Sequence, residues 1–143
     1  MSQDNSHFYE LEIRATPSRV WQALVSPDLT EKYYFNTRVD SDWNVGSKIS
    51  YRDSQGRPAV EGKILEISPP GRLVTTFEPK WLPSEQAGAA STVIWEISGS
   101  GNKSKIKVTH EGLDPNNPAT QDIQSAWPPT LDGLKSVLES AAN

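Results

Sequence analysis

His110 closes the run Lys105-Ile106-Lys107-Val108-Thr109-His110, where alternation sets Ile106, Val108 and His110 on one face and Lys105, Lys107 and Thr109 on the other. An imidazole on the apolar face of a strand points inward. There it could donate to a ligand carbonyl or move a proton near neutral pH. Its plainer role is that of a core histidine bonded to a backbone carbonyl or a buried acid. Glu61 stands beside Gly62, a position where strands bulge and backbones approach closely. An inward carboxylate there could pair with His110 or Arg72. Apolar residues fall at both parities around it, Val60 and Ile64 against Leu65 and Ile67, so its face stays open and a solvent-facing ion pair is the simpler expectation.

Aromatic residues form the second constellation. Tyr51 shares a face with Ile49, Phe77 with Leu73 and Thr75, and Trp95 with Val93 and Ile97, while Trp127 and Leu131 recur one turn apart near the C-terminus. Five Trp, four Tyr and three Phe supply large rigid surfaces with a few polar handles, enough either to line a pocket for a flat hydrophobic ligand or to fill a core. Trp81 lies in a long connection, 78–90, with Pro79, Pro83 and the small run Ala87-Gly88-Ala89-Ala90. An unsupported Trp seeks an apolar surface, so this loop is a candidate lid, and 113–120 is a second gate. The candidate binding residues are therefore Tyr51, Phe77, Trp81, Trp95, His110, Trp127 and Leu131. His110, with Tyr51 or Glu61, is the candidate for catalysis.

Other chemistries are excluded by inventory. With no Cys, and with two His that lack ligand-spaced neighbours, thiol, zinc and iron–sulfur sites are not expected. No phosphate-binding loop, dinucleotide fingerprint or nucleophile elbow occurs, so no cofactor is expected. A net charge of −4 without a basic stripe argues against nucleic acid. No apolar run exceeds three residues, and the N-terminal residues have neither a basic nor an apolar targeting segment. The expectation is a cytoplasmic protein that does not insert into a membrane.

The elements that must position these residues follow from period. Tyr9, Leu11, Ile13 and Ala15 alternate with Glu10, Glu12 and Arg14, a half-buried strand. Thr16-Pro17 supplies an N-cap hydroxyl and a first-turn proline for a helix over 17–25, and Ser26-Pro27-Asp28 breaks it before a further turn or two. From 38 to 111 the period is two, with turn chemistry at 45–47, 54–56, 69–71 and 99–102, predicting strands near 38–42, 47–53, 59–68, 72–78, 91–98 and 103–111. After Pro118, Ile123, Trp127, Leu131, Leu134 and Leu138 form one helical stripe, in which Pro128-Pro129 marks either the start of the helix or a kink. The whole reads as an α+β fold: a curved antiparallel sheet of about seven strands around a long C-terminal helix, with two short helices after the first strand. One domain spans 7–143 behind a disordered tail at 1–6.

These segments resemble the START/Bet v 1-like superfamily, the helix-grip fold, and within it bacterial proteins similar to the C-terminal domain of the activator of Hsp90 ATPase. The resemblance rests on Ala15-Thr16-Pro17-Ser18-Arg19-Val20-Trp21, Trp43-Asn44-Val45-Gly46-Ser47, Glu61-Gly62-Lys63-Ile64-Leu65-Glu66-Ile67, Pro69-Pro70-Gly71, Val93-Ile94-Trp95-Glu96-Ile97, Val108-Thr109-His110-Glu111-Gly112 and Trp127-Pro128, and spans about residues 8–140. It implies a scaffold that serves ligand carriers, cyclases and co-chaperones alike. The leading expectation is a non-catalytic carrier or sensor for a small hydrophobic or aromatic molecule, lipid- or polyketide-like, with His110 orienting a polar group. The alternatives are a cyclase- or hydrolase-like enzyme using His110 and a co-chaperone-like module that binds a chaperone or another protein.

Overall fold

The computed structural model describes residues 7–34, 36–80, 91–112 and 118–141. Trp81, the 1–6 tail and most of both candidate gate loops lie outside the described residues. Seven strands are described: β1 (His7–Ile13), β2 (Arg38–Ser41), β3 (Lys48–Arg52), β4 (Pro58–Ser68), β5 (Arg72–Pro79), β6 (Ser91–Ser100) and β7 (Lys103–Glu111). They pair antiparallel in the order β1-β7-β6-β5-β4-β3-β2. Helices α1 (Pro17–Val25) and α2 (Pro27–Tyr33) fall between β1 and β2, and α3 (Pro118–Ala141) follows β7.

Local chemistry sets these boundaries. The Thr16 hydroxyl accepts from the Arg19 N–H at 3.2 Å and caps α1, with Pro17 beside it in the first turn. Thr30 in α2 closes one edge of the sheet. Its hydroxyl donates to the Thr37 carbonyl at 2.9 Å and accepts from the Val39 N–H at 3.1 Å, engaging backbone groups that an uncovered edge strand would present.

The register places one set of residues on the inner face. Leu73, Thr75 and Phe77 oppose Trp95, Val93 and Ser91 across β5 and β6, and Trp95 and Val93 oppose Val108 and His110 across β6 and β7. On the other side Ile49 and Tyr51 oppose Gly62 and Val60. A bulge in β4 explains the mixed parity around Glu61: Ile64 opposes Thr75 and Glu66 opposes Val74, so Leu65 is the extra residue and is 47% exposed. Beyond it Ile67 returns to pairing with Leu73.

The inner face is covered by α3 through Ile123, Trp127, Leu131, Leu134 and Leu138, all buried and each worth roughly 1.5–3 kcal/mol of transfer free energy. The helix runs through Pro128 and Pro129 and does not start there. Pro128 has no N–H to offer the Gln124 carbonyl, and the Tyr9 hydroxyl donates to that carbonyl instead, at 3.0 Å. The Thr130 hydroxyl donates to the Ala126 carbonyl at 2.7 Å. A side chain from β1 thus satisfies the backbone about one turn before the proline.

Candidate functional site

Between sheet and α3 the rings predicted from alternation meet. Trp127 lies edge-on to Trp95, with centroids 5.6 Å apart and planes at 77°, and edge-on to Tyr34 at 6.1 Å. Tyr34 stacks on Tyr51 at 4.3 Å with planes 15° apart. His110 contacts Trp127 at 5.9 Å and Phe77 at 4.8 Å, both edge-on. Tyr51, Phe77, Trp95, His110 and Trp127 therefore form one connected group, and Leu131 is buried one turn further along α3. Glu61 belongs to neither this group nor Arg72. It bonds Lys48 at 3.0 Å on the outer face, with Lys80 at 3.8 Å, and the hydrogen bond from Lys48 foremost holds its carboxyl below the usual carboxylate range. Arg72 pairs with Glu66 and Glu96.

His110 is fully buried, and the protein engages both its nitrogens. The Trp127 indole N–H donates to Nδ1 at 3.0 Å, and Nε2 lies 2.7 Å from the Ser91 hydroxyl. An indole nitrogen can only donate, so Nδ1 must carry the lone pair and Nε2 the proton. The ring is then a neutral imidazole that donates to Ser91 Oγ, and Ser91 passes its own proton toward the Phe77 carbonyl at 3.4 Å. A serine nucleophile needs the reverse arrangement, with an unprotonated Nε2 to accept the hydroxyl proton. In this tautomer the Ser91–His110 pair is a structural clasp between β6, β7 and α3.

Two interior hydroxyls stand apart. Thr75 and Tyr51 are 6% and 7% exposed, and neither makes a hydrogen bond among the described residues. No fully enclosed polar side-chain atom among them is left without a partner, so these two oxygens border open space. Thr75 sits on the central strand between Ile64 and Val93, which are buried to 2% or less, on the inner face of the sheet. Burial pushes the Tyr33, Tyr34 and Tyr51 phenols up, so Tyr51 stays a protonated donor. Thr75 was legible as a hydroxyl at an inward strand position. Tyr34 and Ser91 carried no such signal, one being a helix cap and the other a strand's first residue.

A separate open cleft of about 480 Å³ lies on the outside, lined in part by Pro27, Glu31, Val39, Arg52 and Ser54. Arg38, also on its wall, is already paired with Asp28 at 2.8 Å and Glu31 at 3.2 Å. Among the described residues no three His, Asp or Glu gather to hold a metal ion, and no helix is long and apolar enough to cross a membrane.

An antiparallel sheet closed over one long C-terminal helix, with an aromatic interior between them, defines a helix-grip α+β protein of the START/Bet v 1-like class. The family model for activator of Hsp90 ATPase homolog 1-like proteins matches residues 14–139, and the chain belongs to that family. No curated protein matches it. Among solved structures it is similar to protein MLL2253 from Mesorhizobium loti, at 19% identity and TM-score 0.80 over 94% of this chain and 97% of that one. It is similar to an Hsp90 activator from Plasmodium falciparum, at 20% identity and TM-score 0.76 over 94% and 96% of the two chains. An Aha1 dimer from Colwellia psychrerythraea matches at 21% identity and TM-score 0.75, again over 94% and 96%. Identities this low carry the fold alone.

Proposed function

We propose that this domain holds a small hydrophobic or aromatic molecule between the sheet and α3, as a non-catalytic, cytoplasmic carrier or sensor. The observation that carries this reading is the pair of buried hydroxyls of Tyr51 and Thr75, which make no hydrogen bond among the described residues and lie beside the aromatic interior. Tyr51, Phe77, Trp95, Trp127 and Leu131 supply apolar wall, and His110, held by Trp127 and Ser91, keeps the rings in place. Polar contact to the ligand passes to Tyr51 and Thr75, whose oxygens are free to make it. The lack of an activated nucleophile at Ser91 favours binding over catalysis. Thermal unfolding of the purified protein against a panel of small aromatic compounds tests this. A compound at a hundred times its Kd is expected to stabilise the fold by about 2.7 kcal/mol, a shift of several degrees in midpoint. A panel in which no compound moves the midpoint would overturn the reading.

A second reading, a co-chaperone-like module, draws on family membership and on the outer face of the sheet. There Phe8, Thr109, Ile94, Val74 and Glu66 form one cross-strand row beside Leu65, with Phe8 58% exposed. The exposed apolar side chains of Phe8 and Leu65 on this face suit a protein partner. On this reading the protein raises the ATPase rate of Hsp90, and Phe8→Glu abolishes the stimulation. A rate unchanged by the wild-type protein would remove the co-chaperone role.

A further inference from the structure

We infer that the interior selects an uncharged aromatic ligand bearing a hydrogen-bonding oxygen or nitrogen, and rejects carboxylates and phosphates; this rests on the small-ligand reading above. The chain has 14 Lys and Arg, all within the described residues, and none of them is buried. Those on the strands occupy the outer face: Lys48 opposes Lys63, and Arg72, Glu96, Lys107 and Glu10 form one cross-strand row, while Ile49, Tyr51, Leu73, Trp95 and Val108 face inward. Residues 1–6, 35, 81–90, 113–117 and 142–143 contain no Lys or Arg, so these segments have no cationic side chain to bring to the interior. His110 does not fill the gap, because its Nδ1 accepts from Trp127 and its Nε2 proton is spent on Ser91.

An anionic ligand would therefore leave water for a wall of rings and two neutral hydroxyls, with no counter-charge to offset its desolvation. Two hydrogen bonds do not replace the hydration of a carboxylate. A neutral planar molecule meets no such penalty. It gains ring contacts with Tyr51, Trp95 and Trp127, and it can engage the Tyr51 and Thr75 hydroxyls, which otherwise face open space. The buried set contains no Asp or Glu either, so nothing in it favours a cation.

Calorimetric titration of the full chain near neutral pH with 2-naphthol and 2-naphthoate tests this, because the two probes share a ring system and differ mainly in charge. Naphthol is expected to bind at least about a hundredfold more tightly than naphthoate. Thr75→Val, nearly isosteric, and Tyr51→Phe should each weaken naphthol about five- to tenfold, the worth of one hydrogen bond. If naphthoate binds as tightly as naphthol, the charge selection is overturned while the ligand reading stands. Naphthol affinity unchanged in both variants would overturn the assignment of the two hydroxyls. If neither probe binds, the ligand reading itself falls, and this inference with it.

Discussion

Trp127→Ala is expected to destabilise the domain by about 4 kcal/mol in urea denaturation, the range typical of removing a buried Trp. Three aromatic contacts vanish at once, to Tyr34, Trp95 and His110, together with the indole donor to Nδ1. Trp127→Phe separates the two contributions. It keeps a ring in the same place and removes the indole donor to Nδ1, a loss of about 1–3 kcal/mol. The same variant changes the chemistry of His110. With the indole gone, the proton is free to move to Nδ1 and Nε2 to accept from Ser91. Nitrogen NMR of the imidazole reads this directly: the wild type should show a protonated Nε2 and a bare Nδ1. A wild-type ring protonated at Nδ1, or a Trp127→Phe variant as stable as the parent, would refute the clasp.

Gly62→Ala is expected to cost at least about 3 kcal/mol, although it adds one methyl group. The position lies three residues before the β4 bulge, where β4 and β5 run so close that a Cβ on residue 62 would overlap the backbone carbonyl of Thr76. That oxygen cannot swing aside as a flexible side chain could. The neighbouring Lys63 N–H already donates to Thr76 Oγ1 at 2.8 Å, a side chain standing in where the ladder is distorted. Gly101→Ala is the control. Its φ of +58° strains any side chain, yet a Cβ there meets nothing within 4 Å, so only the left-handed backbone preference, about 1 kcal/mol, is lost. Equal midpoints for the two variants would show that the close approach at Gly62 relaxes freely.

Much of this architecture was legible in residue order. Period two put Tyr51, Phe77, Trp95 and His110 on one face of the sheet, and the five-residue stripe from Ile123 to Leu138 marked the helix that covers it. Two places resisted. Around Glu61 the alternation broke, because a bulge shifts parity by one residue and the chain does not announce which residue is extra. At Pro128-Pro129 propensity pointed to a start or a kink; the helix does not start there, and Tyr9 reaches from β1 to the carbonyl that Pro128 leaves unpaired. That contact joins residues 115 positions apart, and no local window contains it.

The residue sequence by itself determined the element order, the inward faces of most strands and the wet face that carries Arg14, Lys105 and Lys107, because periodicity acts locally. Only the tertiary structure decided what the inward polar groups do. Ser91, His110 and Trp127 come from β6, β7 and α3, and their mutual distances set both the tautomer and the direction of each hydrogen bond. The same packing leaves the Tyr51 and Thr75 hydroxyls without a hydrogen bond among the described residues. A hydrogen bond needs its donor and acceptor within about 3 Å and aligned, and register, bulge and helix position settle that together, after the chain has closed.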